Sequence, residues 1–164
     1  MALTKGTAPL GRNPSAAIDR TDDGDVLIFE PSHRRVRGRL ADRTIVDTYE
    51  AKRLHETGEL PVYYFPRNHV VQEVLRHAGS VKDPRKGRGA CFDLIVGDQT
   101  AARAAVTWTD PPTGAEFLTD HIVFRFDAMD AWFEEDERIG VHPRDPYHRI
   151  DVIRQLRNGL GPDL

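Results

Sequence analysis

The chain has 164 residues, of which 39% are hydrophobic and 30% are charged, and its formal net charge is −3. This composition predicts one globular domain with a substantial core, and no apolar run approaches the roughly 18 residues of a membrane-spanning helix. The single cysteine, Cys91, excludes an internal disulfide and a four-cysteine zinc site. The cysteine usage and the lack of an apolar signal-peptide core in residues 1–20 predict a cytoplasmic protein.

The first 24 residues predict a flexible tail, because glycine and proline recur there without a sustained hydrophobic period. Deleting residues 1–20 is therefore expected to leave the melting temperature nearly unchanged. Residues 25–157 predict a single β-rich domain, and residues 158–164 predict a short C-terminal tail.

Alternating and apolar segments predict strands in the first half of this domain. Residues 25–30 form a short apolar run. Residues 35–49 alternate between apolar and charged positions on either side of a turn, which predicts a hairpin. Residues 51–58 predict a weaker strand. Residues 61–66 predict a short aromatic strand bracketed by prolines, as at a sheet edge or a strand end.

The middle of the chain predicts a short helix near residues 68–77, followed by a basic loop over residues 81–89. Asn68 is a suitable N-cap for the helix, and the apolar residues after it fall on one helical face. Residues 90–109 then predict a second hairpin around a Gly-Asp turn, and residues 121–126 predict another strand.

The acidic segment at residues 127–136 predicts a second short helix. Asp127 is a good N-cap, and the acidic residues that follow lie near the positive end of the helix dipole. About seven short strands and two short helices together predict a mainly antiparallel β domain.

Several segments share their order and spacing with one known family. These segments are residues 30–37, 56–58, 61–66, 86–87, 105–108, 127–137 and 141–151. On these motifs the chain resembles the domain-of-unknown-function 427 family, from about residue 31 to residue 157. The resemblance implies a β-tent-like fold, in which two antiparallel sheets splay around a pocket that short helices close.

Two properties associated with such folds or with this family do not carry over to the chain. Relatives of the architecture bind zinc through cysteine pairs, which a single cysteine cannot supply. A nucleotidyltransferase label is sometimes attached to the family, but the Gly-Ser signature followed by an Asp-x-Asp pair is absent here. The chain also has residues 82–85 where many members have His-Cys-Pro-Tyr, and Asp110 where an aromatic residue is expected.

Seven residues have aromatic, basic or hydrogen-bonding side chains that a hydrophobic core or a turn does not require. We expect these seven to line one cleft between the sheets. They are Tyr64, Lys86, Trp108, Trp132, His142, Arg144 and Tyr147. Aromatic walls hold flat ligands, and a guanidinium binds anionic or carbonyl groups with its planar fork. The alternative is that the aromatics are ordinary core residues, that the basic loop is solvated, and that residues 141–151 form a structural corner.

Two functions from different classes remain open at this point. The first is a non-catalytic module that binds a small molecule in an aromatic and basic cleft. The second is a small hydrolase or transferase with His142 or Glu134 as base and Arg144 as anion stabiliser. The sequence shows no nucleophile arrangement, no metal-ligand spacing and no cofactor motif. It argues against a membrane or nucleic acid as partner and leaves a homodimer open.

Overall fold

The computed structural model describes residues 16–20 and 24–140 of the protein. These residues form two antiparallel sheets connected by turns, so the predicted mainly β fold with two sheets is confirmed. The strands are β1 (Ala17–Arg20), β2 (Val26–Pro31), β3 (Val36–Leu40), β4 (Arg43–Thr48), β5 (Lys52–Glu56), β6 (Val62–Pro66), β7 (Leu75–Asp83), β8 (Gly87–Val96), β9 (Gln99–Asp110), β10 (His121–Phe124), β11 (Ala131–Glu134) and β12 (Glu137–Ile139). Within this described part, no helix has the length and apolar character needed to span a membrane.

The large sheet has eight strands in the order β1-β2-β5-β6-β10-β9-β8-β7. The small sheet has four strands in the order β12-β11-β3-β4. The chain therefore leaves the large sheet after β2, builds the β3–β4 hairpin of the small sheet, and returns to the large sheet with β5. It enters the small sheet again with β11 and β12, which brings residues from distant parts of the sequence together between the sheets.

Both predicted hairpins are present. Residues 35–49 contain β3 and β4, and the turn between these strands has positive φ angles at Ala41 (49°) and Asp42 (61°). Residues 90–109 lie within β8 and β9, whose turn has Gly97 at a φ of 57°. Glycine adopts this left-handed conformation without a steric penalty, which is why the Gly-Asp pair is an informative turn signal.

Neither predicted helix forms. Residues 68–77 instead contain most of one 3₁₀ turn, Arg67–His69, a second, Gln72–Val74, and the start of β7. Val70 is buried and forms a bridge with Val46 of the small sheet. β-branched valine is compatible with extended backbone, so this contact between segments outweighs the helical spacing of the apolar residues.

The second predicted helix, at residues 127–136, is wrong for a similar reason. Phe126–Ala128 forms a single 3₁₀ turn, and β11 follows with alternating burial, since Trp132 and Glu134 are buried and Phe133 is half-buried. β11 pairs with β3 on one side and β12 on the other. Aromatic residues favour this pleated environment, and the pairing on both sides overrides the capping signal at the start of the segment.

Two further segments contain strands that the sequence did not predict. The basic stretch at residues 81–89 is not a loop, because β7 continues to Asp83 and β8 begins at Gly87. In the predicted tail, residues 17–20 form β1, which pairs with β2 at the edge of the large sheet. A deletion through residue 20 removes this strand. The expectation of an unchanged melting temperature did not take this strand into account.

The large sheet has a hydrophobic core on each of its faces. The core between the two sheets includes Val36, Ile45, Tyr63, Phe65, Ile122, Phe124 and Trp132. The core on the opposite face consists of Leu27, Phe29, Leu54, Tyr64, Trp108, Ala115 and Leu118. Because side chains alternate along a strand, the adjacent Tyr63 and Tyr64 of β6 enter different cores.

The large sheet curls around the second core. Lys86, in the turn between β7 and β8, places its Nζ 2.7 Å from Oε1 of Glu56 at the end of β5. Arg85 in the same turn lies 3.8 Å from Asp19 of β1. A turn near one edge of the sheet thus contacts strands near the other edge, which encloses the aromatic residues between them.

His121, at the start of β10, makes the stability of this second core sensitive to acid. Its ring packs edge-on against Phe29 at 5.1 Å, and its Nδ1 donates to the carbonyl oxygen of Thr119 at 2.8 Å. Burial lowers the pKa of His121 below its usual 6.5. The unfolded chain therefore takes up the proton first, so the contribution of His121 is fully present above pH 6.5 and declines as the pH falls toward its folded pKa.

We expect the free energy of unfolding to decrease between pH 7 and pH 5, and to decrease less in His121→Gln. The matched control is His77→Gln, which changes an exposed histidine and should keep the wild-type pH dependence. Urea titrations at each pH measure the difference. Identical pH profiles for the wild type and His121→Gln would show that His121 does not cause the dependence.

Candidate functional site

Three of the predicted site residues lie together in the second core. The indole Nε1 of Trp108 donates to the hydroxyl oxygen of Tyr64 at 3.0 Å, and the ammonium group of Lys86 lies 5.7 Å from the centre of the Trp108 ring. Tyr64 is 2% exposed and Trp108 is 7% exposed. Burial raises the pKa of Tyr64, so its hydroxyl stays protonated across the physiological range.

The charge of Lys86 is already balanced by acidic side chains. Its Nζ contacts both carboxylate oxygens of Glu56, at 2.7 and 2.9 Å, and lies 3.3 Å from Oδ2 of Asp83. The side chain of Lys86 is only 15% exposed. A lysine held between two carboxylates adds no free positive charge for an anionic ligand, so this group acts chiefly to join β5 to the β7–β8 turn.

Trp132 belongs to a different environment from these three residues, which corrects the expected single cleft. It is 1% exposed in the core between the sheets and stacks on Phe65 at 5.6 Å and on Phe126 at 6.1 Å. Its Nε1 donates to the carbonyl oxygen of Phe126 at 3.0 Å. Trp132 is therefore a central core residue rather than the wall of an open cleft.

The other predicted site residues, His142, Arg144 and Tyr147, lie outside the described residues. Their membership of a site stays a prediction.

A second group of polar residues lies where the two sheets meet. We call it the Glu134 cluster, and it consists of Ser32, Arg34, Arg53, Tyr63 and Glu134. Ser32 and Arg34 lie in the segment from β2 to β3, which crosses between the sheets. Arg53 and Tyr63 are cross-strand partners on the inner face of the large sheet. Glu134 ends β11 of the small sheet, on the same face as Trp132.

Glu134 is the least expected member of this cluster. Its side chain is 3% exposed, and Nη1 of Arg34 donates to its Oε1 at 2.7 Å. Its second carboxylate oxygen, Oε2, is buried and has no hydrogen bond of ordinary length and angle from any described residue. A buried carboxylate oxygen without a donor is energetically costly, and a native protein rarely keeps one without a reason.

Tyr63 lies beside this carboxylate at the base of the cluster. It is 1% exposed, and the hydroxyl of Ser32 lies 3.5 Å from its own. Burial is the largest cause that raises the pKa of Tyr63 to about 12, and both the charge of Glu134 and hydrogen bonding to its carboxylate add to the effect. Its hydroxyl therefore stays protonated at neutral pH.

Arg53 connects the cluster to a second ion pair on the inner face of the large sheet. Its Nη2 lies 3.0 Å from Oε1 of Glu30, and Nε2 of His55 lies 2.9 Å from the same oxygen. The hydrogen bond from His55 is the largest cause that lowers the pKa of Glu30. The Nε of Arg53 is buried and has no acceptor among the described residues, so the cluster presents a donor as well as an acceptor.

No group of three or more histidine, cysteine, aspartate or glutamate side chains in residues 16–20 and 24–140 is placed to hold a metal ion. The Glu134 cluster is instead made of hydrogen-bonding groups and the Arg34–Glu134 ion pair, and Arg53 links it to Glu30.

A family model described as a domain of unknown function, DUF427, matches residues 28–135. The chain belongs to the DUF427 family. The predicted resemblance is thus confirmed, and all five residues of the Glu134 cluster lie inside the matched region. His142, Arg144 and Tyr147 lie beyond it. Among curated proteins, none matches this DUF427 chain significantly.

Sequence reasoning identified only part of the cluster in this DUF427 protein. Glu134 was a candidate base, and Tyr63 was recognised within an aromatic strand, but Ser32, Arg34 and Arg53 were not assigned to a site. One signal for the position of Glu134 was available, because the adjacent aromatic residues Trp132 and Phe133 favour a strand. Interpreted as a strand, this segment places Glu134 on the same inner face as Trp132.

Proposed function

We propose that this DUF427 protein is a non-catalytic small-molecule-binding module of the cytoplasm, and that its ligand binds at the Glu134 cluster. In this proposal the sheets have the β-tent-like arrangement and splay at the end where the cluster lies. The observation that carries the proposal is the buried Oε2 of Glu134, which no described residue satisfies. A ligand that donates a hydrogen bond to this oxygen removes the cost of burying it.

The position of Arg34 supports an entry route to the cluster. Its side chain is 49% exposed, whereas the Glu134 side chain that it contacts is 3% exposed. Arg34 thus connects the buried carboxylate to the surface, and movement of this long side chain would open the cluster. His142, Arg144 and Tyr147, which the sequence predicted at one cleft with Tyr64, Lys86, Trp108 and Trp132, stay proposed ligand-binding residues.

The proposal predicts that Glu134→Gln reduces ligand stabilisation. Gln keeps the shape of Glu134 but loses its charge and presents an amide in its place. In a thermal-shift screen with metabolites and nucleotides, a true ligand at a hundredfold excess over its Kd should raise the melting temperature of the wild type by roughly 5–10 °C. The same compound should shift the melting temperature of Glu134→Gln by only about half as much, as tenfold weaker binding predicts.

The matched control for this screen is Glu59→Gln, which makes the same chemical change at an exposed position. It should respond to ligands as the wild type does. The proposal is wrong if no compound stabilises the wild type, or if every stabilising compound acts equally on Glu134→Gln.

The second candidate function is a small hydrolase or transferase with Glu134 as general base. The same unsatisfied Oε2 favours it, because a base needs a free lone pair within about 3 Å of the proton it removes. Mass spectrometry of each stabilising compound after incubation with the protein separates the two functions. Unchanged compound supports the binding module, whereas a product that forms with the wild type and not with Glu134→Gln supports the enzyme.

A further inference from the structure

The Glu134 cluster leaves one hydrogen-bond acceptor and one donor unsatisfied on the two sheets that it joins. The acceptor is Oε2 of Glu134 on the small sheet, and the donor is Nε of Arg53 on the large sheet. Tyr63 is the cross-strand partner of Arg53, and its hydroxyl lies 3.5 Å from that of Ser32, two residues before the Arg34 that pairs with Glu134. All three polar groups therefore face one region between the sheets.

The fixed charges around this region cancel. Glu134 is paired with Arg34 at 2.7 Å, and Glu30 is paired with Arg53 at 3.0 Å. Two carboxylates and two guanidinium groups give a net charge of zero, and His55 adds a charge only when it is protonated. The region therefore has no excess positive or negative charge to balance a charged ligand. Burying the charge of an anionic or a cationic ligand there would be energetically costly.

We infer that the ligand of this cluster is an uncharged small molecule that carries an N–H group beside a carbonyl group, as in an amide, a ureide or a lactam. The inference rests on the proposed function and names its ligand class. The ligand N–H donates to Oε2 of Glu134, and the ligand carbonyl oxygen accepts from Nε of Arg53. Both buried groups are then satisfied without adding a charge between the two ion pairs.

Three probes that share a benzene ring and differ in the charge of their polar group test this inference. They are benzamide, benzoate and benzamidinium, titrated into ¹⁵N-labelled protein at millimolar concentration. Benzamide should shift the amide resonances of Ser32, Tyr63 and Glu134, and it should bind at least about tenfold more tightly than the two charged probes.

Two variants test the two hydrogen bonds separately. Glu134→Gln replaces the carboxylate with an amide, and Arg53→Lys keeps the positive charge but removes the Nε donor. Each should weaken benzamide binding about tenfold, while the controls Glu59→Gln and Arg76→Lys, at exposed positions, should bind as the wild type does. Far-ultraviolet circular dichroism and thermal melts confirm that each variant is folded before its affinity is compared.

The outcomes distinguish the ligand class from the proposed function. If benzoate or benzamidinium binds at the cluster more tightly than benzamide, the inferred class is wrong and the binding function stands. If Arg53→Lys binds benzamide as well as the wild type does, the donor assigned to Arg53 is wrong. If no probe shifts the resonances of the cluster, both the ligand class and the site are overturned.

Discussion

Replacing Trp132 with alanine is expected to lower the free energy of unfolding by about 3–5 kcal/mol, because it empties the centre of the core between the sheets. The side chain is 1% exposed and stacks on Phe65 with an angle of 7° between the rings. The change also leaves the carbonyl oxygen of Phe126 without the indole donor. Equilibrium unfolding in urea, followed by circular dichroism, measures the loss.

The neighbouring Phe133 is the matched control for this prediction. It lies on the opposite face of β11, is half-buried, and has the guanidinium of Arg37 5.1 Å from its ring centre. Phe133→Ala should cost roughly 1 kcal/mol, as expected for a partly exposed aromatic with one cation–π contact. Equal losses for the two variants would contradict the assignment of Trp132 as the central residue of this core.

A substitution at Gly38 tests the packing around Trp132 from the neighbouring strand, β3. Gly38 is the cross-strand partner of Trp132, and a Cβ atom at this position would lie 2.6 Å from Cζ3 of the indole ring. Gly38→Ala should therefore destabilise the wild type by roughly 1–3 kcal/mol. In the Trp132→Ala background most of this cost should disappear, and the double-mutant cycle measures the coupling. Strictly additive losses would show that the two residues do not limit each other.

The strands that the sequence predicted correctly are those whose signals are local. The hairpin over residues 90–109 has a Gly-Asp turn between two β-prone segments, and the hairpin over residues 35–49 has alternating apolar and charged residues. Each signal depends on residues that are close in sequence. The order of strands in the large sheet depends instead on pairs such as β6 with β10, which are far apart in the chain.

The two helix predictions were wrong because the same residues fit both the period of a helix and the two-residue period of a strand. Over residues 127–136 the acidic residues suit the start of a helix, while Trp132 and Glu134 also lie two positions apart and share one face of a strand. Pairing with β3 and β12 on both sides decides between these alternatives. β12 follows β11 after two residues, whereas pairing with β3 is a contact between segments far apart in the chain, which local sequence patterns do not contain.

The candidate site shows the same division between local and long-range information. Glu134 stood out as a chemically unusual residue, but its partner Arg34 is 100 positions away in the chain. Arg53 becomes relevant only because β5 pairs with β6 and places it across from Tyr63. The sequence shows which residues have reactive or hydrogen-bonding side chains. The fold determines which of them come into contact and which of their atoms lack a hydrogen-bond partner.

Replacing Lys86 with methionine is expected to lower the free energy of unfolding. Breaking a buried ion pair costs roughly 3–5 kcal/mol, and we expect a loss toward the lower end of this range. Methionine keeps most of the length of the side chain but removes its charge. It leaves Glu56, which is 17% exposed, and Asp83 without their shared cation. It also removes the ammonium group from the ring of Trp108, and it detaches the β7–β8 turn from β5.

Acid should reduce this difference between Lys86→Met and the wild type. Burial alone would raise the pKa of Asp83, but hydrogen bonds from the amides of Arg85 and Lys86, together with the charge of Lys86, lower it below 3.8. The stabilisation from this carboxylate is therefore present above pH 3.8 and is lost as the pH falls through its folded pKa. Because Lys86 supplies part of that shift, the variant has less stabilisation to lose.

Two further variants make the Lys86 prediction specific. Lys82→Met changes an exposed lysine in the same hairpin and should alter the free energy of unfolding by no more than about 0.5 kcal/mol. Adding Glu56→Gln to Lys86→Met removes one uncompensated charge, so the double variant should be more stable than Lys86→Met alone. Urea unfolding at pH 7 measures all three variants. A loss for Lys86→Met no larger than that for Lys82→Met would show that the ion pair does not hold the curled sheet together.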